Sequence, residues 1–109
     1  MLPDPFRIIA HRGASGTAPE NTMSAFQKAV DMGVDEIETD VHFTRDDELI
    51  LLHDHRLERT TDGSGTPGDH SLAQLRRLDA GSWMGGKFAG ERLITLVLTR
   101  RCQRNYHVV

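Results

Sequence analysis

Glu36-Ile37-Glu38-Thr39-Asp40-Val41-His42-Phe43 decides the fold: Ile37, Thr39, Val41 and Phe43 fall on one face, and Glu36, Glu38, Asp40 and His42 on the other. A period of two is the signature of a strand. Glu38 and Asp40 therefore project from the same side, about 7 Å apart at their Cα atoms for a rise of about 3.3 Å per residue. Two carboxylates that close can share one cation.

Upstream, Asn21 to Met32 places Phe26, Ala29 and Val30, and less regularly Ala25 and Met32, at helical spacing. Asn21 or Thr22 supplies the N-cap, and Gly33 stops the helix at the C-terminal position glycine favours. Arg7-Ile8-Ile9-Ala10, between Pro5 and Gly13, reads as a short buried strand. Strand, helix, strand in this order begins an α/β fold with parallel strands.

Downstream, Leu49 to His53 forms another strand, and Thr44 to Glu48 is too short for a crossover helix. A hairpin turning at Asp46-Asp47 sets Asp40 opposite His53. An extended return instead makes the strands parallel and leaves both residues at C-terminal strand ends. Either route brings His53 near the carboxylates. From Arg56 to Gly90 the composition shifts to Gly, Thr, Ser and Asp, with one helix over Ser71 to Leu78, where Leu72, Leu75 and Leu78 share a face and Ser71 is the cap. Such a segment reads as an insertion over one end of the sheet, a lid or rim. No internal repeat or low-complexity tract interrupts the chain.

A net charge of -3 and 27% charged residues describe a globular protein with no basic face for nucleic acid. The longest apolar stretch, Leu49 to Leu52, is far short of the roughly 20 residues a membrane span needs, and the N-terminus lacks signal-peptide character, so a cytoplasmic location is expected. Cys102 stands alone, which excludes an internal disulfide and a cysteine-based metal site. All 16 acidic residues lie at or before Glu91, whereas Arg92 to Val109 holds 4 arginines and no acid. So abrupt a switch is unusual within one domain.

His11, Arg12, Glu38, Asp40 and His53 all stand at ends of apolar runs, where barrel enzymes keep their chemistry. Cleaving a phosphodiester requires its charge to be neutralised, the attacking oxygen activated and the departing alkoxide protonated; a cation, an arginine and paired histidines do these jobs. Paired carboxylates offer hard oxygen ligands suited to Mg²⁺ or Ca²⁺. Singly, each signal has a plainer reading: a lone strand-end histidine is more often structural, and Arg12 and Glu20 could simply pair with each other. Their joint occurrence reverses those odds.

The joint pattern resembles the glycerophosphodiester phosphodiesterase family, on Ala10-His11-Arg12-Gly13, Pro19-Glu20-Asn21-Thr22, Ala25-Phe26, Ile37-Glu38-Thr39-Asp40-Val41, His53-Asp54, Arg59-Thr60-Thr61 and Leu78-Asp79-Ala80-Gly81. The matching text runs from residue 7 to about residue 96. The resemblance implies an α/β TIM barrel of the phospholipase C-like phosphodiesterase type, present here as the N-terminal strands, the first helix and the family insertion at about 54–92. It implies a metal-dependent hydrolase of lipid and glycerol metabolism that converts a small glycerophosphodiester to glycerol 3-phosphate and an alcohol. His11 and His53 would be the general acid and base, Arg12 would bind the phosphate, Glu38 and Asp40 would ligate a divalent cation, and Glu20 would stand behind Arg12. His42, His55, His70 and His107 match no catalytic position.

In the family a third metal-binding glutamate and a lysine lie on a later strand, and nothing after Glu91 matches them. A full barrel takes about 250 residues and eight strands, so residues 1–96 are expected to be the N-terminal portion of the domain. Residues 97–109 read as a divergent basic tail, consistent with a frameshift, and the chain is expected to be truncated and inactive. Exposed barrel edges are expected to favour self-association. Two alternatives stand beside this reading. One is a lysophospholipase D-like or phospholipase C-like enzyme with Trp83, Met84 and Phe88 as its apolar rim; the other is a non-catalytic fragment.

Overall fold

The computed structural model describes residues 8–96 and 106–108. β1 (Ile9–His11), α1 (Met23–Asp31) and β2 (Glu36–Thr39) form the expected parallel unit, with Ile9 beside Glu36 and His11 beside Glu38. β2 is the middle strand of three, which accounts for the complete burial of Ile37 and Thr39. Its other neighbour, β5 (Tyr106–Val108), runs parallel to it and places Glu38 beside His107 in the backbone register. The rest of the basic tail, residues 97–105 and 109, lies outside the described residues.

α1 starts at Thr22, whose hydroxyl accepts from the Ala25 N–H at 3.4 Å and donates to the Pro19 carbonyl at 2.7 Å. It ends in a glycine motif: Gly33, at φ +74°, donates to the Val30 carbonyl, and the Val34 N–H donates to Ala29. Ala25, Phe26 and Ala29 face the sheet and pack with Ala18, Ile37, Leu51 and Ile94 in the main core. Met32, grouped with that face by its spacing, is instead 71% exposed, because it caps the helix after the last full turn.

The alternating run 36–43 is not one strand. It breaks at Asp40, where β2 ends and β3 (Val41–Phe43) begins; β3 pairs antiparallel with β4 (Leu49–Leu51) in a separate hairpin. The face assigned by alternation is lost across the break, and Phe43 is exposed whereas Ile37 is buried. Antiparallel pairing excludes the extended parallel return. The hairpin register also differs from the expected one. Thr44 donates to the Glu48 carbonyl, and Asp47, at φ +62°, closes the turn onto the Thr44 carbonyl. The loop is therefore Arg45-Asp46-Asp47, an odd length in the type I turn plus left-handed residue pattern. Asp40 consequently faces Leu52, whose N–H donates to the Asp40 carbonyl at 3.1 Å, and His53 lies one residue further on.

Residues 54–92 have a small core of their own. Leu57, Leu75, Ala80 and Leu93 pack against Ile50 and Leu52 of the hairpin segment, with Leu72 and Leu78 at the margin. α2 (Leu72–Leu75) is capped reciprocally by Ser71 and Gln74, as a serine followed three residues later by glutamine predicts. It makes one turn rather than reaching Leu78: Arg76 is its C-cap, and Arg77 and Leu78 bond three residues back in a tightened end. Asp79 then ties the following loop by accepting from Gly81 N, Ser82 N, Ser82 Oγ and Gly90 N. Ile94 returns to the hairpin, its carbonyl accepting from Leu51 N at 2.9 Å.

Candidate active site

His11 ends β1 beside Glu38, and its Nε2 lies 3.0 Å from Glu38 Oε1. The next two residues turn through the left-handed region, Arg12 at φ +59° and Gly13 at φ +81°. For Arg12 that conformation costs about 1–2 kcal/mol, and the turn holds it with two backbone bonds: Arg12 N donates to the Glu38 carbonyl at 2.7 Å, and Asn21 N donates to the Arg12 carbonyl at 3.0 Å. A Cβ on Gly13 would come within 2.8 Å of the Ala25 backbone carbon and the Phe26 ring, so the turn is pressed onto α1. Strained non-glycine residues concentrate where a side chain has to be aimed.

Arg12 Nη1 lies 3.2 Å from Glu20 Oε2. Glu20 is shared: Arg59 donates Nη1 to its Oε1 at 3.0 Å and Nη2 to its Oε2 at 2.9 Å. Arg59 grips Asp54 as well, Nε to Oδ2 at 2.8 Å and Nη2 to Oδ1 at 3.0 Å. Asp54 Oδ1 in turn lies 2.9 Å from His53 Nδ1. Arg59, and after it His53, hold the Asp54 carboxyl well below the usual carboxylate range. Asp54 and Glu20 reciprocally raise the Arg59 guanidinium above its ordinary value.

The structure thus joins His11 to Glu38 directly, and Arg12 to His53 through three charged side chains. Asp40 is tied to His53 only along the chain, through its carbonyl and Leu52. Three buried polar atoms have no hydrogen-bond partner among the described residues: Arg12 Nε, Asn21 Nδ2 and Asp40 Oδ2. Buried atoms of this kind are rare and call for a partner. Asp40 Oδ2 and the second oxygen of Glu38 are hard donors that fit a divalent cation. Among the described residues no group of three or more His, Cys, Asp and Glu side chains is placed to hold such an ion.

Arg59 and Asp54 carry no role in the sequence reading, although both stand inside its matching segments. An arginine that grips two carboxylates cannot be told from a solvated one by spacing, because its partners lie 39 and 5 residues away. Trp83 is 41% exposed and lies over the Arg59 guanidinium at 5.8 Å, whereas Phe88 packs against the main core. His42 and His55 meet edge to face at 5.6 Å, and His70 Nε2 lies 2.9 Å from the Ser64 carbonyl, both local roles.

The profile of the glycerophosphoryl diester phosphodiesterase family matches residues 11–105. The chain is 57% identical over 89 residues to YhdW of Bacillus subtilis, and 49% identical over 89 residues to a glycerophosphodiester phosphodiesterase of Caldanaerobacter subterraneus. Each alignment covers 82% of this chain and 37% of the relative, so the chain spans little more than a third of their length. A phosphodiesterase of Oleispira antarctica, solved in complex with the product sn-glycerol-3-phosphate, superposes with a TM-score of 0.91 at 37% identity, over 94% of this chain and 43% of that one. The strands and helices seen here make up part of the TIM barrel of such enzymes.

Proposed function

Because this chain belongs to the glycerophosphoryl diester phosphodiesterase family, we propose that it carries one portion of a site that hydrolyses glycerophosphodiesters to glycerol 3-phosphate and an alcohol. The observation that carries the proposal is Arg12, held in a strained turn between His11 and Gly13 with its buried Nε lacking a partner. The planar guanidinium, bound to Glu20 through Nη1 and with its side chain still 18% exposed, suits a phosphate oxygen. Glu20 neutralises part of its charge and fixes its far end. His11 and His53 are the proton-transfer groups; imidazole suits both the base that activates the attacking oxygen and the acid that protonates the departing alkoxide. Glu38 and Asp40 would hold a divalent cation, Mg²⁺ or Ca²⁺, which when bound polarises the phosphate and offsets its negative charge.

The soluble glycerophosphodiester is favoured over a lipid substrate because Phe88 is partly buried against the main core and the Trp83 ring is engaged by the Arg59 guanidinium. Hydrolysis of glycerophosphocholine with added Mg²⁺ or Ca²⁺ tests the reading. In the whole protein, His11→Ala and His53→Ala are each expected to lower turnover by about 10²-fold or more. Near-normal turnover from both variants would remove the histidines from the mechanism, and preference for a lysolipid would reverse the substrate assignment.

A further inference from the structure

Asp54 is held ionised by Arg59, and an ionised carboxylate can only accept hydrogen bonds. The 2.9 Å contact between Asp54 Oδ1 and His53 Nδ1 therefore requires the proton to sit on Nδ1. His53, when neutral, is left with a bare lone pair on Nε2, the form a proton acceptor needs. The His53 side chain is 43% exposed and follows the end of β4, so its ring is not locked by complete burial. Asp54 also lies outside any strand or helix. The bond between them is consequently only as well oriented as whatever fixes Asp54.

Arg59 supplies that fixation. Its guanidinium grips both oxygens of Asp54, with Nη2 on the same Oδ1 that meets His53. It is itself anchored by a second fork on Glu20, whose side chain is only 9% exposed and which also meets Arg12. The Trp83 ring covers the guanidinium at 5.8 Å and limits its swing. We propose that Arg59 is a positioning residue: by clamping Asp54 against Glu20 it fixes His53 as the Nδ1–H tautomer, with Nε2 free to take a proton. The clamp also makes the insertion, which carries both Arg59 and Trp83, responsible for the state of a histidine outside it.

The assignment of His53 as a proton-transfer group rests on the phosphodiesterase reading, but its tautomer is measurable without substrate. In the full chain, two-bond proton–nitrogen correlation of the His53 imidazole, recorded where its nitrogen shifts no longer change with rising pH, should show Nδ1–H dominant. Arg59→Met is expected to lower the ratio of Nδ1–H to Nε2–H by about tenfold, the scale of a charge-assisted hydrogen bond. Arg59→Lys keeps the charge but cannot form both forks, and should lower the ratio by less than Arg59→Met does. If Arg59→Met does not fold, Arg59→Lys alone decides, since an unchanged ratio in that variant removes the clamp. A wild-type His53 carrying its proton on Nε2, or a folded Arg59→Met with the wild-type ratio, overturns the proposal and leaves the hydrolysis reading untouched.

Discussion

Arg12 shows how a single residue can be expensive to place and still be kept. Its left-handed backbone is set by three neighbours: Glu38 and Asn21 through hydrogen bonds, and Gly13 through a turn that leaves no room for a side chain. Gly13→Ala meets both the unfavourable φ and the α1 backbone at 2.8 Å. The substitution is expected to cost about 2–4 kcal/mol, read as a lower denaturant midpoint at unchanged slope; a loss below about 0.5 kcal/mol would show that the turn relaxes freely. Gly13 is legible in the sequence as the residue that ends β1, but its clash partners are not, since Ala25 and Phe26 reach it only after α1 docks. Glu20 is legible as a companion to Arg12, whereas Arg59 is not, because nothing local marks which of many arginines will find two carboxylates.

Among the elements, α1 follows its sequence most closely, since cap, apolar spacing and terminal glycine all agree. β2 and β3 follow it least. Their alternation is continuous through Asp40, and the change of partner there is imposed by packing on two different sheets, which a period of two does not record. The insertion depends on polar ties more than on regular structure, and Asp79 is the chief of them. Its four donors hold its carboxyl well below the usual range, the Gly90 N–H first, then Ser82 and Gly81. A carboxyl whose folded pKa is depressed contributes stability that is fully present above the unfolded value of about 3.9 and fades as pH falls below it toward the folded one. Amide exchange at Gly81, Ser82 and Gly90 should therefore accelerate relative to α1 amides as pH drops below about 4. Asp79→Asn, which turns a donor toward donors, should produce the same relative acceleration at neutral pH. Equal protection in both would show that the loop is held by something else.

At the scale of the molecule, two small cores share the β3–β4 hairpin: Leu51 belongs to the main core, and Ile50 and Leu52 to the core of the insertion. Among the described residues β1 is the outer strand of its sheet, and Ile8, just before it, and Ile9 are 44% and 55% exposed. Apolar side chains along an open strand edge invite pairing with another chain. Where the chain self-associates through this edge, Ile9→Lys is expected to shift it toward monomer in light scattering across a concentration series, and an unchanged mass distribution would exclude this edge as the contact. The barrel type was legible from motif order, while the break at Asp40 and the clamp around Arg59 were not, because both arise from contacts between segments that each read normally alone. The hairpin loop carries a further meaning. Arg45-Asp46-Asp47 acts as a gauge: a slip of one residue in the β3–β4 register would move the backbone partner of Asp40 from Leu52 to Leu51 or His53. The length of this loop thereby fixes which residue Asp40 meets across the hairpin, and its side chains are committed as well: Asp46 Oδ1 accepts from Leu72 N, and Arg45 donates to the Asp69 carbonyl.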